Sequence, residues 1–415
     1  MFRHAILSIW NRRSTEALVV IEIALAFVAV FAVLAVAFSY WASYRQPLGF
    51  DYHRTWSVFL GTGSGLKKNG GWNLEQAYTL RNVLQALRSM PRVEAAHVIR
   101  VAPFTPARSF SPYSYDGRTV TPTPVNAMTS GALQALGTRL VAGRWFNVAD
   151  EGLPYRVAVA NQVYVRATFP PGTSPLNRNI NQLREHPRPG WTPDSFFSRE
   201  VRLVGVVQNF RASDLADEIP MVITQYEIEQ AVENAQEHPN ALFVKVAEGT
   251  PVEFERQIVD RIKSVAPEWQ PAVYPWPEFR ARTHSKALMP VIIAGMLVAF
   301  VLVMVVLGLV GVVWQGVVRR TQEIGLRRAV GASARNVRRQ IAMETLVTAV
   351  FGIAIGTLLA IQLPLLKLVQ QINWSSAAAG LFFSAVLVLS LVAVSALYPG
   401  WVASRREPAD ALRYE

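Results

Sequence analysis

The sequence contains no cysteine, which excludes thiol nucleophiles, thiolate zinc sites and disulfides. Its six histidines are scattered, and no pair has the spacing that places two metal ligands on one helix face. Charged residues are scarce, at 17% against 51% hydrophobic residues, which excludes a disordered chain. The 415 residues therefore either fold around a large core or insert into a membrane.

Four long runs carry almost no charge, and about 20 apolar residues in a helix span a bilayer core. We predict transmembrane helices at 17–44, 287–318, 341–366 and 375–404. A cleaved signal peptide is disfavoured for the first run, because the apolar region of a signal peptide is about 7 to 15 residues long and this run is longer. Glu22 and Glu344 lie near the ends of their runs, where a structural ion pair with nearby arginines is favoured over a proton relay.

Arginine is concentrated in the short segments beside these runs: three in 1–16, seven in 319–340 and three after residue 404. Cytoplasmic flanks carry such an excess. We therefore predict that both termini and the 319–340 loop are cytoplasmic, and that 45–286 and the short 367–374 loop lie outside. Residues 1–16 have an apolar stripe that predicts a cytoplasmic amphipathic helix, and 405–415 form a cytoplasmic tail.

The second run is longer than a bilayer requires. As a helix its 32 uncharged residues would measure about 48 Å, against about 30 Å of hydrocarbon. We expect 287–294 to protrude as a rigid stalk that continues into the external domain. A bend at Pro290 is the alternative.

The external segment 45–286 holds 27 basic and 22 acidic residues, a net charge of +5. A net charge this small for a segment of this length does not indicate nucleic-acid binding. Its alternating patterns predict one α+β domain or two lobes. Thr250 and Glu253 are read as a capping box that opens a helix, and Asn73 opens another. Strands are predicted at 93–101, 157–160, 201–207 and 241–246, and exposed loops at 107–124 and 170–200.

Motifs for catalysis are missing. The glycine-rich segment Gly61 to Gly65 lacks Walker spacing and is predicted to be a plain turn. No nucleophile elbow, zinc-protease helix or convincing acid pair occurs, so we predict a non-enzymatic chain with no cofactor or metal of its own.

The 319–340 loop can continue the second helix, with Glu323 and Arg327 paired one turn apart, Gly331 as a C-cap and Ser333 restarting the chain. Such a stiff, basic elbow offers a surface that a partner can push on. An ordinary positively charged loop is the alternative.

Several of these segments resemble one family. Residues 321–333 read TQEIGLRRAVGAS, followed by Glu344 and by Gly352 and Gly356, and this run is similar to the cytoplasmic signature of MacB/FtsX-type ABC transporter permeases. The end of the chain, from Pro399 to Glu415, resembles the ending of that family. Residues 137–146 (GTRLVAGRWF) and 204–210 (VGVVQNF) are similar to the MacB-like periplasmic core domain.

The resemblance implies a membrane protein with four transmembrane α-helices and a large α+β extracytoplasmic domain between helices 1 and 2, in the bacterial inner membrane. It implies a permease dimer, homo or hetero, bound to two ABC ATPase subunits that carry the ATP and Mg. It also implies mechanotransmission, in which the ATPases move the stalk helices and the outer domains. The expected ATPase-coupling residues, all in or beside the loop, are Arg319, Arg320, Thr321, Glu323, Ile324, Gly325, Arg327, Arg328, Gly331 and Ala332.

Two functions are consistent with this resemblance. The first is export or extraction of an amphiphilic, drug-like, peptide-like or lipoprotein substrate, with a periplasmic adaptor and an outer-membrane channel as further candidate partners. The second is an FtsX-like regulator that activates a periplasmic cell-wall hydrolase.

The chain has no Walker motif, so its ATPase is expected in a separate subunit. The Pro- and Arg-rich stretch 178–199 is longer than the family pattern and is either a docking loop or a variable surface. Gly352 and Gly356 form a small-xxx-small pattern for close helix packing, within one chain or across a dimer.

Overall fold

The structure is a computed structural model that divides into two compact units, described separately below. It describes residues 13–61, 74–105, 109–111, 113–116, 118–119, 123–181, 199–212, 219–228, 239, 241–320, 326, 330, 333–366 and 372–405. The helical unit consists of residues 1–44 and 286–415, and the α+β unit consists of residues 45–285.

Among the described residues, four helices are long and apolar enough to cross a membrane, and they lie in the helical unit apart from residues 45 and 276–285. They are α1 (Arg13–Arg45), α6 (Trp276–Arg319), α7 (Ala334–Ala360) and α9 (Trp374–Arg405), with the short α8 (Gln362–Leu365) after α7. The α+β unit lies between the first and second of these helices in the chain, which confirms the predicted fold class. The predicted amphipathic helix 1–16 and the tail 405–415 lie almost wholly outside the described residues.

Helix α1 contacts each of the other three long helices of the helical unit. Its buried side chains include Ile23, Phe27 and Phe31, none of which is exposed. Glycines of the other three long helices face it closely: Gly308 of α6, Gly352 and Gly356 of α7, and Gly380 of α9. Small residues let helix backbones approach in this way, so the glycines set the packing distances around α1.

The α+β unit is built on a mixed ten-stranded sheet. Its strands are β1 (Thr55–Phe59), β2 (Val93–Ile99), β3 (Phe110–Ser111), β6 (Thr123–Met128), β7 (Leu140–Gly143), β8 (Arg156–Asn161), β9 (Val201–Val207), β10 (Val222–Gln225), β11 (Ala241–Val246) and β12 (Ala272–Pro275). A separate hairpin pairs β4 (Ser114–Tyr115) with β5 (Arg118–Thr119). The order in the sheet is β12-β1-β11-β2-β6-β10-β8-β9-β7, and β3 joins β6 from outside this path. Two pairs, β6 with β10 and β8 with β9, are parallel and the rest are antiparallel.

The two faces of this sheet pack against different elements, because alternate strand residues point to opposite sides. On one face, Trp56 and Val58 of β1 pack with α2 (Leu74–Arg88) and α5 (Phe254–Val265). On the other face, Phe243 of β11 joins a second core that contains Phe50 and Trp276. The short helices α3 (Ala132–Ala135) and α4 (Gln162–Thr168) complete the unit.

The structure corrects two local predictions. Helix α5 begins at Phe254 and its N-cap Glu253 makes no side-chain cap, so the capping box predicted from Thr250 does not form. The Thr250 hydroxyl instead donates to the Ala247 carbonyl oxygen across the turn at residues 248–249. The predicted loop 107–124 contains the short strands β3, β4 and β5, and Tyr113 within it is buried.

Candidate functional site

The C-terminal end of α6 is joined to α7 by an ion pair. Helix α6 ends at Arg319, and the next residue, Arg320, donates from Nη1 to Glu344 Oε2 at 2.9 Å. Gln340 donates from Nε2 to the other oxygen of the same carboxylate at 3.1 Å. Glu344 therefore has a structural partner from the arginine-rich loop. Both charged side chains are partly exposed, at 26% and 34%, so the pair contributes about 0.2–1 kcal/mol.

Most of the predicted coupling residues lie outside the described part of the chain. These are Thr321, Glu323, Ile324, Gly325, Arg327, Arg328, Gly331 and Ala332. The proposed pairing of Glu323 with Arg327 and the C-cap at Gly331 therefore stay predictions. Helix α6 gives way to a turn at Arg320, so it does not continue unbroken from Arg319. Beyond the loop, the Ser333 hydroxyl accepts from the Asn336 backbone N–H at 3.3 Å and caps α7.

Gly352 and Gly356 of α7 lie against α1 of the same chain. A Cβ at residue 352 would lie 2.8 Å from Ile23 Cγ2, and one at residue 356 would lie 2.8 Å from Phe27 Cδ1. Both neighbours are fully buried, so neither can move away freely. The pattern of two small residues thus serves a helix contact within one chain.

Glu22 of α1 occupies a notch at Gly308 of α6, where a Cβ would lie 3.0 Å from Glu22 Oε1. Gly308 is eleven residues before Arg319, or about 16 Å along the helix. The Glu22 carboxylate thus lies about three turns before the C-terminal end of α6. Among the side chains that the structure describes, Glu22 has no ion-pair partner, and the predicted partners Arg12 and Arg13 are not among those side chains.

The N-terminal end of α6, called its root below, is part of the α+β unit. The Trp276 side chain is fully buried, and its Nε1 donates to the Ser57 hydroxyl of β1. One turn later Arg280 lies over the Tyr52 ring, 4.6 Å from its centre, and donates to the Tyr52 hydroxyl. After another turn the Thr283 hydroxyl donates to the Phe104 carbonyl oxygen at 3.0 Å. The first two turns are therefore fixed in position before the apolar run begins.

Sequence reasoning missed this root. The predicted second span began at residue 287, whereas α6 begins at Trp276 and contains Pro290 without ending there. Hydropathy could not find the start because Arg280, Arg282 and His284 interrupt the apolar pattern. Pro277 in the first turn is the one local signal, because proline is favoured where a helix N–H has no partner.

A second well-ordered feature of the α+β unit lies after the edge strand β7. Arg144 binds both oxygens of Asp150, at 2.6 and 2.7 Å, while Asn147 donates its backbone N–H to the same carboxylate. The hydrogen bonds from Arg144 lower the pKa of Asp150 below the usual carboxyl range. The bidentate pair fixes this turn of the 137–146 motif and carries no sign of catalysis.

One histidine of the α+β unit is held neutral. His97 is stacked on Phe243 with ring centres 5.5 Å apart, and its Nδ1 lies 3.2 Å from the Thr129 hydroxyl. Burial, with the charge of Arg88, lowers the pKa of His97 to about 4. No group of three His, Asp or Glu side chains suited to a metal occurs in the part of the chain that is described.

Two protein-family models match this chain. Residues 17–261 match the family model of the MacB-like periplasmic core domain, and residues 295–408 match that of the FtsX-like permease C-terminal domain. The chain belongs to the MacB/FtsX-type permeases. It is thus an ABC transporter permease of the MacB-like family and a multi-pass inner-membrane protein.

Individual relatives of this permease match over parts of their length. A macrolide export ATP-binding/permease protein MacB of Syntrophobacter fumaroxidans is 35% identical over 143 residues, 32% of this chain and 19% of the relative. A probable syringafactin export ATP-binding/permease protein, SyfD, of Pseudomonas syringae pv. tomato is 24% identical over 305 residues, 69% of this chain and 42% of the relative. The chain thus spans well under two thirds of these relatives.

A solved structure, the periplasmic region of MacB from Actinobacillus actinomycetemcomitans, aligns with 56% of the permease chain and 94% of its own. The TM-score of this alignment is 0.38 and the sequence identity is 15%. Membership of the family rests on the two domain matches, which together include α1, most of the α+β unit and the later membrane helices.

Proposed function

We propose that this permease is the membrane subunit of an ABC complex in which a separate ATPase dimer works by mechanotransmission. ATP hydrolysis would move the inner loop, α6 would carry the displacement outward, and the α+β unit would move in response. A second permease chain, the same or different, would complete the complex. The orientation that fits this proposal has both termini and the 319–340 loop in the cytoplasm, as the arginine distribution predicts.

One observation carries the proposal: α6 is a single helix of 44 residues, about 66 Å long. Its first turns are rooted in the α+β unit through Trp276, and its last residue precedes Arg320, which is paired with Glu344. A helix resists compression and bending over this length far better than a loop does. A displacement at one end therefore reaches the other with little loss.

The helical unit favours this mechanism over an ion-coupled carrier. Glu22 and Glu344 are the acidic residues within the predicted spans, and Glu344 is occupied by Arg320. Carriers of ions or protons line their routes with several ionisable groups inside the membrane. Among the described residues of the spans no such chain of groups occurs.

The substrate we propose is amphiphilic or peptide-like, exported or extracted from the membrane. Relatives named for the export of macrolides and of syringafactin support export. The competing function is regulation of a periplasmic cell-wall hydrolase, with no substrate moved. Purification of the complex with its ATPase separates the two: a bound amphiphile or an adaptor supports export, and a bound hydrolase or hydrolase activator contradicts it.

Association with the ATPase has its own test. We expect charge reversal of Arg327 and Arg328 to abolish ATPase pull-down, because both would contact the ATPase from the inner loop. Reversal of Arg256, an exposed arginine of α5 in the α+β unit, is the matched control and should leave the pull-down intact. ATPase recovery equal to that of the unchanged chain would contradict the proposed coupling loop.

A further inference from the structure

Two segments join the α+β unit to the membrane helices, and both enter one aromatic cluster. The segment after α1 stacks Phe50 on Phe210, with ring centres 4.7 Å apart and an angle of 27° between the ring planes. The root of α6 places Trp276 edge-on to the same Phe50 ring, at 5.5 Å. Phe104 lies 6.3 Å from both Phe50 and Trp276. These four side chains, called the aromatic junction below, are at most 8% exposed.

The backbone fixes the first of these segments to the same place. The Arg211 backbone N–H donates to the Leu48 carbonyl oxygen at 2.9 Å. Gly49 has φ of +81°, and a Cβ there would lie 1.6 Å from the Asn209 carbonyl oxygen, so only glycine fits. The segment that follows α1 is thus held in close backbone contact with the loop after β9.

The junction is also bound to the root of α6 and to the centre of the sheet. The Phe104 backbone N–H donates to the Ala212 carbonyl oxygen at 2.7 Å, and the Phe104 carbonyl oxygen accepts from the Thr283 hydroxyl at 3.0 Å. Phe104 has a left-handed backbone conformation with φ of 64°. Trp276 reaches Ser57 of β1 by its hydrogen bond and lies 6.0 Å from Phe243 of β11. Strands β1 and β11 are neighbours in the sheet.

We propose that Phe50, Phe104, Phe210 and Trp276 are positioning residues that make the outer ends of α1 and α6 move as one and deliver that movement to strands β1 and β11. The inference rests on the proposed function and names the place where displacement enters the α+β unit. The physical reason is that a close-packed aromatic cluster is nearly incompressible and transmits strain.

A merely structural role predicts something different. Trp56 and Trp276 are both buried tryptophans, at 4% and 0% exposure, but they pack on opposite faces of the sheet. If the junction only supports the core, Trp56→Leu and Trp276→Leu should behave alike. If the junction transmits movement, only Trp276→Leu should uncouple the α+β unit from ATP hydrolysis.

The absence of native cysteine permits a direct measurement on the full chain with its ATPase in lipid nanodiscs. Spin labels are attached at Val148→Cys in the α+β unit and Leu365→Cys in α8, which are 68% and 59% exposed. Labelled chains are diluted with unlabelled ones, and the distance between the labels is measured with and without ATP. We expect an ATP-dependent change in the unsubstituted background, the same change with Trp56→Leu, and less than half of it with Trp276→Leu while hydrolysis continues.

The outcomes separate the junction from the proposed function. A full ATP-dependent change with Trp276→Leu would overturn the junction and leave mechanotransmission standing. No change in the unsubstituted background would overturn mechanotransmission, and the junction with it. Should Trp276→Leu not fold, Trp276→Phe, which keeps a ring but loses the bond to Ser57, and Phe210→Leu carry the same expectation.

Discussion

Replacement of Gly352 by alanine tests the packing of α7 on α1. The new Cβ would lie 2.8 Å from Ile23 Cγ2 and 3.0 Å from the Val20 carbonyl oxygen, and Ile23 is fully buried. Overpacking of this kind costs about 1–3 kcal/mol. Alanine also favours a helix over glycine by up to about 1 kcal/mol, which acts in the opposite direction.

Gly311→Ala is the matched control, because a Cβ at Gly311 of α6 would meet nothing within 4 Å. It gains the helix propensity without the clash, so the propensity cancels in the comparison. We expect Gly352→Ala to be less stable than Gly311→Ala by about 1–3 kcal/mol. The assay is reversible unfolding of the purified chain by SDS in mixed micelles. Equal stability of the two variants would refute the close contact between α7 and α1.

Three further results are expected. Arg320→Glu should lower ATPase-coupled activity, because Arg320 and Glu344 form an ion pair. Adding Glu344→Arg should restore part of the activity, since the pair is then re-formed with its charges exchanged. A double variant that is no more active than Arg320→Glu would contradict a role for this ion pair. Hydrogen bonds from Arg144 depress the pKa of Asp150, so the ionised Asp150 stabilises the fold above about pH 4, and this stabilisation is lost as pH falls through the lowered pKa. The free energy of unfolding of Asp150→Asn, measured against pH, should lack this part of the acid dependence. The pKa of His97 is about 4 in the folded chain and about 6.5 in the unfolded chain, so protonation of this ring should cost about 3 kcal/mol of stability between pH 6.5 and 4. His97→Gln should flatten that slope, and an unchanged slope would contradict a ring that is held neutral.

The membrane helices could be predicted from the sequence because the signal is local. Runs of 20 or more apolar residues have few other uses, and the arginines beside them add an orientation. The start of α6 was missed by about three turns, since Trp276 to Lys286 contains charged residues that face solvent or pair within the α+β unit. Hydropathy reports burial in lipid and is silent about helices that continue into a folded domain.

The sheet and the aromatic junction could not be predicted. Strand order depends on contacts between distant residues, and two-residue strands such as β3 and β4 have no periodicity to detect. The bond between Trp276 and Ser57 joins residues 219 positions apart. By contrast, the partner of Glu344 could be anticipated in kind, since a carboxylate near an arginine-rich loop favours an ion pair.

Continuity of α6 is tested most directly by replacement of residues 285–291, which keeps the length of the helix. One version is flexible, of glycine and serine, and the other is helical, of alanine, glutamate and lysine. The ATP-dependent distance change between labels at Val148 and Leu365 is then measured. Our account predicts that the flexible replacement abolishes the change without loss of ATPase binding, while the helical replacement retains it. A full change with the flexible replacement would contradict mechanotransmission through this helix.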